Sequence, residues 1–170
     1  MEMDLVAQFP ESLTFLRKQI RDFARKHFDF TIIDNPPNMG IFVANSLYAS
    51  DMVIVPIDTG SFYSIDGLRK ARELISSVQT SGNPELKFLR LLLNRLDMRK
   101  GISRMIFEDV GEWFNQEELF KTSIPFNSLF QESEYERKTI FDYKPKSRSA
   151  QAYQKLAKEV VGLCESEFGE

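Results

Sequence analysis

The segment FDFTIIDNPPNMG at residues 28–40 places one acid, Asp34, directly after four strand-forming residues and ahead of Pro36 and Pro37. Proline donates no amide hydrogen bond and fixes its own φ, so this pair stops both a strand and a helix. A carboxylate at the end of a strand suits a magnesium ion that is bound through its waters beside a nucleotide phosphate. An aspartate that only starts a turn has the same pattern, so spacing alone leaves both interpretations open.

A second group of residues that could do chemistry is the basic stretch RKTIFDYKPKSR at residues 137–148. It contains five Lys or Arg side chains and a single Asp, although the whole chain has a net charge of −3. That total argues against a protein whose entire surface coats nucleic acid, but it permits a local basic face. The stretch is therefore either a solvated loop or a contact for nucleic acid.

Strands and helices alternate along the chain, and this order predicts where these residues stand. Runs of strand length occur at residues 30–33, 52–57, 86–94 and 119–125. Helical spacing of apolar residues, together with one short helical segment, covers residues 11–28, 41–50, 64–78, 102–114 and 149–168. Strands separated by helices predict an α/β fold with a parallel sheet and helices on both faces. Ligands of such sheets bind outside the carboxyl ends of the strands, where we expect Asp34.

Length and composition predict one globular α/β domain over residues 1–170, because 170 residues with 42% hydrophobic content can bury a proper core. The apolar runs are too short to cross a bilayer, and the N-terminus lacks a signal-peptide pattern, so we expect a soluble, cytoplasmic protein. One cysteine, Cys164, and one histidine, His27, cannot form a disulfide framework or a Cys/His metal site.

The order of these motifs resembles the ParA and Soj partition ATPases, within the MinD/ParA group of P-loop NTPases. The run FDFTIIDNPPNMGIFVANSLYASDMVIVPI resembles the Walker B strand of that family and the βα unit after it. YKPKSRSAQAYQKLAKEVV resembles the family's closing helix. The resemblance implies a P-loop NTPase-like fold. The positions that match the Walker B run are Asp29, Asp34, Pro36, Pro37, Asn45, Ala49, Asp51 and Pro56.

Two later segments, LLLNRLDMRKGIS and SIPFNSLFQES, resemble the family's nucleotide-base region. The resemblance implies that Asn94 lies near the base, and that Pro125 and Asn127 belong to the segment that covers the adenine. Asp34 would be the catalytic residue, and it would hold magnesium, usually through water. The cofactors implied are ATP and Mg.

The family also binds DNA without reading its sequence, and it does so as a nucleotide-dependent homodimer with a ParB-like protein partner. Arg99 matches one DNA-contacting position of the family, whereas Leu129 stands where many members have an arginine. The resemblance and the basic stretch together give the candidate DNA contacts Arg99, Arg137, Lys138, Lys144, Lys146 and Arg148.

One part of the family pattern does not occur in this sequence, namely the N-terminal strand and its Lys-Gly-Gly-x-Gly-Lys-Thr phosphate-binding loop (Walker A). The chain has eight glycines and no Gly-Lys pair. Without that loop no cradle of amides and no lysine would hold the β and γ phosphates, so we expect this chain alone to hydrolyse ATP poorly or not at all. The alternatives are a partial chain, which the strand-like MEMDLVAQFPES favours, and a naturally shortened, inactive relative.

Three functions remain open on the sequence. The first is a partition-type ATPase, the second is a nucleotide-free adaptor that binds a protein partner, and the third is a MinD-like ATPase at a membrane surface. The third is disfavoured because the C-terminal LCESEFGE carries Glu165, Glu167 and Glu170 where a membrane-seeking helix needs Lys or Arg.

Overall fold

The computed structural model describes residues 10–61 and 63–168. Two strands, β1 and β2, span Met52–Asp58 and Lys87–Asn94. The helices, α1 to α8 in chain order, span Pro10–Leu13, Phe15–His27, Ile41–Ala49, Tyr63–Ser81, Gly101–Trp113, Ser128–Tyr135, Ile140–Tyr143 and Arg148–Phe168. One 3-10 turn spans Gln116–Glu118. Within these described ranges, no helix is long and apolar enough to cross a membrane.

The strands predicted at 52–57 and 86–94 are confirmed as β1 and β2, and the two pair in parallel. The amide of Lys87 donates to the carbonyl of Asp51 at 2.9 Å, and the amide of Thr59 donates to the carbonyl of Asn94 at 3.0 Å. Both strands are mainly apolar; half of the β2 residues are buried, whereas β1 is mostly half-buried or exposed. The α/β fold class with a parallel sheet is therefore confirmed.

The predicted strand at residues 119–125 pairs with β2 but is not a regular strand. Parallel bridges join Leu91 to Leu119 and Leu96 to Pro125. Between these bridges the amides of Phe120 and Ile124, which are four residues apart, donate to carbonyls that are only two residues apart on β2. The segment therefore bulges. The amides of the bulge turn away from β2 and bind the carboxylate of Glu159 on α8, at 2.7 and 3.0 Å.

The strand predicted at residues 30–33 is wrong for the part of the chain that the structure describes. Residues 30–36 have no regular secondary structure. A parallel strand needs a neighbour to bond its amides, and no described segment pairs with this one. Asp34 therefore follows an irregular segment and not the end of a strand.

The described residues form two compact units by contact, and β1, α4 and β2 contribute to both. The first contains residues 10–53 and 68–88, and the second contains residues 54–61, 63–67 and 89–168. The prediction of one domain over 1–170 stays a prediction.

The turn after α4 closes the first unit. Asn83 is fully buried, and its Nδ2 donates to the carbonyls of Leu47 and Ser50, both at 2.8 Å, which satisfies the end of α3. Gly82 lies so close to Tyr48 that a Cβ there would fall 2.2 Å from the tyrosine ring. The predicted turn SGNPE thus fixes α4 against α3 through a glycine and a buried asparagine.

The core of the second unit is formed by β2, the segment beside it and α5. Leu91 is completely buried, and Ile106, Val110 and Ile124 are almost completely buried. The helical period of α5 predicted its buried face, because residues four apart share one side of a helix.

Helix prediction succeeded where periodicity extended over several turns. The predicted first helix at 11–28 breaks at Thr14, which separates α1 from α2. The helices α6 and α7 were not predicted. Each has fewer than three turns, which is too short for an apolar period to show.

Candidate nucleotide site and basic surface

Asp34 belongs to the first unit and lies in the irregular stretch between α2 and α3. Its side chain is exposed, and it has no hydrogen bond or ion pair to another described residue. A carboxylate in contact with water suits a hydrated magnesium ion. Among the residues that the structure describes, no three His, Cys, Asp or Glu side chains cluster as a metal site, so these side chains alone do not complete one.

Asp51, which matches the Ala-x-Asp position, has a structural role in the first unit. Its carboxylate accepts a hydrogen bond from Arg21 at 2.6 Å and a second one from Arg25. Arg21 is only 7% exposed. The two arginines therefore join α2 to the start of β1, a role that the sequence did not reveal because nothing local marks an arginine as buried.

Asn94 ends β2 in the second unit. Its carbonyl accepts from the amide of Thr59 at 3.0 Å, and its side-chain Oδ1 accepts from the amide of Arg95 at 3.0 Å. No described residue accepts from its Nδ2. The side-chain oxygen is therefore used by the turn, while the amide nitrogen remains able to donate to a ligand.

Pro125 reaches the same edge because its segment is bonded to the residues after β2. The amide of Leu96 donates to the carbonyl of Ile124 at 2.9 Å, and the amide of Phe126 donates to the carbonyl of Leu96 at 3.0 Å. These bonds flank Pro125, whose own nitrogen can donate none.

Asn127 caps α6. Its Oδ1 accepts from the amide of Leu129 at 3.0 Å, and no described residue accepts from its Nδ2. Asn127 thus repeats the arrangement of Asn94, with the oxygen bound locally and the nitrogen open. The structure brings Asn94, Pro125 and Asn127 to one edge of the second unit, and their role in binding stays a prediction.

A cation and ring cluster, defined by Arg95, Phe126 and Lys100, stands beside these residues and was missed from the sequence. The Lys100 Nζ lies 3.9 Å from the centre of the Phe126 ring, and the Arg95 Cζ lies 5.5 Å from it. Arg95 also bonds Asp58 at 3.2 Å and has a φ of 55°, which is unusual for a residue other than glycine. The available signal was Arg95 directly after β2 and Lys100 directly before α5.

Arg99, the predicted DNA contact, is bound to a neighbour in the same loop. Its Nε and Nη2 donate to the two carboxylate oxygens of Asp97, at 2.8 and 2.9 Å. This bidentate bond from Arg99 lowers the pKa of Asp97 to about 2. The Arg99 side chain is 88% exposed, but the paired carboxylate offsets much of its field.

Arg137 and Lys138 follow the end of α6, and both are exposed. Arg137 has a φ of 53°, so it takes the left-handed conformation that commonly ends a helix. The Lys138 Nζ lies 3.5 Å from the Glu136 carboxylate. Arg137 and Lys138 are both accessible to a phosphate, and Glu136 partly offsets the charge of Lys138.

Lys144 and Lys146 line one shallow cavity of about 270 Å³ with Leu129, Pro145 and Ser147. Arg148 follows at the start of α8 and is exposed. We call Lys144, Lys146 and Arg148 the basic loop. Leu129 lies beside it, so the position that is arginine in many family members here adjoins two lysines.

Comparison with known proteins identifies the family. The sequence model of a family described as AAA domain matches residues 1–88. Soj of Bacillus subtilis, the sporulation initiation inhibitor protein, is 34% identical over 144 residues. The chain belongs to the ParA/Soj family. These matches confirm the resemblance to this family that the sequence motifs indicated.

The ParA/Soj relatives are longer than this chain. The match to Soj covers 85% of this chain and 56% of Soj. The chromosome partitioning protein ParA of Myxococcus xanthus is 31% identical, over 94% of this chain and 55% of the relative. The chain therefore spans little more than half the length of these relatives.

A solved structure gives the same fold. Cobyrinic acid a,c-diamide synthase of Mycobacterium smegmatis, with bound ADP and magnesium, is 27% identical and superposes with a TM-score of 0.69. The superposition covers 93% of this chain and 55% of that one. The ParA/Soj chain thus shares an α/β architecture with a protein that holds a nucleotide and magnesium.

Proposed function

We propose that the chain is part of a ParA-like partition ATPase and that it binds ATP and magnesium, with the base at the carboxyl end of β2. The observation that carries the proposal is the pair of asparagines, Asn94 and Asn127, whose oxygens are bound to the backbone while their amide nitrogens stay open. Two fixed donors suit the ring nitrogens of adenine, which accept hydrogen bonds. Pro125 lies between them in the chain and would cover one face of the base.

Magnesium would be held by Asp34. Its exposed carboxylate fits a hydrated ion, because Mg²⁺ usually keeps several waters and takes one or two carboxylates together with phosphate oxygens. When bound, the ion would neutralise charge on the phosphates. Asp34 would orient the hydrated ion.

Hydrolysis by this chain alone is expected to be absent or slow. The sequence contains no Gly-Lys pair, so it offers no lysine loop for the β and γ phosphates. Because positioning and charge stabilisation supply most of phosphoryl-transfer catalysis, binding without that loop would not lead to turnover.

The proposed base site is tested by Asn127→Asp, which keeps an oxygen to cap α6 but removes the amide donor. Loss of one hydrogen bond predicts an ATP affinity weaker by about tenfold, with α6 intact. Calorimetric titration of ATP with magnesium measures the affinity, and circular dichroism checks the fold. Ser128→Ala, which leaves the cap oxygen in place, serves as the control. Equal affinity for the Asn127→Asp variant and the unaltered protein would remove Asn127 from the site.

Magnesium binding is separated from base binding by Asp34→Asn in the same titration. We expect this variant to bind ATP equally with and without magnesium, whereas the unaltered protein binds more tightly with the ion. A magnesium dependence that survives the substitution would remove Asp34 from the proposed site.

The proposal extends to DNA through the basic loop and to a homodimer with a ParB-like partner, as in the family. A nucleotide-free adaptor is the second candidate, and the lack of a Gly-Lys pair favours it. The ATPase and the adaptor are distinguished by measuring partner binding with and without ATP. Partner binding by an adaptor would not change when ATP is added.

A further inference from the structure

Thr59 directly follows β1 in the second unit, and it is completely buried although its side chain is polar. Its amide donates to the carbonyl of Asn94 at 3.0 Å, and its hydroxyl lies 3.1 Å from the carbonyl oxygen of Arg95. A hydroxyl has one proton to donate, and the Arg95 carbonyl is the nearest acceptor that it meets. Thr59 therefore satisfies two successive carbonyls at the turn that follows β2.

Ser103, in the first turn of α5, holds Thr59 in place. It is also completely buried, and its Oγ donates to the carbonyl of Thr59 at 3.0 Å. The Oγ1 of Thr59 and the Oγ of Ser103 lie 3.4 Å apart. The two hydroxyls thus join the end of β1, the turn after β2 and the start of α5. Because a buried hydroxyl without a partner is costly, a bonded pair favours this one arrangement of the three elements.

The turn that Thr59 holds contains an unusual backbone conformation. Arg95 has a φ of 55°, a region in which residues other than glycine are uncommon. Such a conformation persists only where its surroundings fix it, and it occurs often at binding sites. Both backbone groups of Arg95 are fixed, because its amide donates to the Oδ1 of Asn94 at 3.0 Å and its carbonyl accepts from Thr59. The orientation of the Asn94 side chain therefore depends on the hydroxyl of Thr59.

We infer that Thr59 is a positioning residue for the nucleotide base. Its hydroxyl holds Arg95 in the left-handed conformation, and the amide of Arg95 holds the oxygen of Asn94. The Nδ2 of Asn94 is then a donor whose orientation is set before the base arrives, which lowers the entropy cost of binding. The link to the base rests on the proposed function, whereas the bond between Thr59 and Arg95 does not.

The test compares Thr59→Val, which keeps the branched shape but removes the hydroxyl, with Thr59→Ser, which keeps the hydroxyl. Without nucleotide, we expect hydrogen exchange of the Arg95 amide to be about tenfold faster in Thr59→Val and nearly unchanged in Thr59→Ser. Titration of ATP with magnesium should show an affinity about tenfold weaker for Thr59→Val and nearly unaltered for Thr59→Ser. Thr80→Val, which removes a hydroxyl that bonds a carbonyl within α4, is the matched control.

A double substitution separates positioning from a loss of stability. Asn94→Asp keeps the oxygen that binds the Arg95 amide and removes the donor to the base. In this background Thr59→Val should change the ATP affinity by less than about twofold, because the donor that Thr59 positions is already absent. Thr59→Val that weakens ATP binding equally in both backgrounds would overturn the inference, because Thr59 would then act independently of Asn94.

Two further results would overturn the inference, namely exchange of the Arg95 amide that is unchanged in Thr59→Val, and an ATP affinity that Thr59→Ser does not retain. If Thr59→Val does not fold, Ser103→Ala replaces it, because this variant removes the donor to the Thr59 carbonyl. ATP affinity should then fall by about threefold, and an unchanged affinity would refute the role of Thr59. If the unaltered protein binds no ATP, the proposed function fails and the link to the base fails with it, while the exchange measurement still tests the bond to Arg95.

Discussion

At the scale of single residues, the loop after β2 holds an unusually acidic carboxyl group. The pKa of Asp97 is lowered to about 2, mainly by the side-chain hydrogen bonds from Arg99. Because this folded-state pKa lies below the ordinary value of 3.8, the pair stabilises the fold above about pH 4 and loses that contribution as the pH falls towards 2. We predict that Arg99→Gln raises the pKa of Asp97 towards 3.8. A carbon-13 NMR titration of the carboxyl group measures it.

Arg104→Gln is the matched control for this titration, because it removes the same charge from the neighbouring helix without touching Asp97. The pKa of Asp97 should then stay near 2. An Asp97 that titrates near 3.8 in the unaltered protein would show that the bidentate bond does not persist in solution.

At the scale of elements, α8 supports the bulged segment beside β2. Glu159 accepts from the amides of Lys121 and Thr122, which β2 cannot satisfy. We predict that Glu159→Ala lowers the free energy of unfolding by about 1–3 kcal/mol, the range for hydrogen bonds to a charged group and for amides left unpaired. Urea unfolding measures the loss.

The conservative change Glu159→Gln keeps one acceptor oxygen and should lose less stability than Glu159→Ala. Glu165→Ala, an exposed position on the same helix, controls for helix propensity. Equal unfolding midpoints for Glu159→Ala and Glu165→Ala would mean that the carboxylate does not support the segment.

The elements that sequence predicted correctly are those whose signal is local. Apolar continuity gave β1 and β2, and a helical period gave α4, α5 and α8 to within a few residues. The failure at 30–33 has a different cause, because strand composition shows only that a residue can join a sheet. Whether it does so depends on a neighbouring strand, and no property of residues 30–33 encodes that neighbour.

The residues of the candidate site were likewise predicted only in part. Asparagines after strands were visible in the sequence, and Asn94 and Asn127 do stand at one edge. Arg95, Lys100 and Phe126 were not expected, since their contact joins residues that are distant in sequence through the pairing of 119–125 with β2. Conversely, Arg99 was predicted as a DNA contact, and only the structure reveals its bond to Asp97.

At the scale of the whole molecule, a net charge of −3 is compatible with DNA binding only if positive charge is concentrated locally. The basic loop offers this concentration, because Lys144 and Lys146 line one cavity and neither has an ion pair among the described residues. Contacts of this kind release counterions from DNA, so they are revealed by the dependence of affinity on salt.

We predict that replacing both Lys144 and Lys146 with Gln flattens the log-log salt dependence of DNA binding by roughly 1.8, since each phosphate contact contributes about 0.9. Affinity should fall equally for DNA of any sequence, because phosphate contacts position a protein without reading bases. Arg99→Gln should flatten the slope by less than one full contact, because Asp97 already offsets the charge of Arg99.

Replacing both Lys26 and Lys70 with Gln serves as the control. These residues lie on α2 and α4, and their replacement changes the net charge by the same amount. Fluorescence anisotropy across a salt series measures all four proteins. A slope that changes as much in this control as in the Lys144 and Lys146 variant would assign binding to total charge and remove the basic loop from the DNA surface.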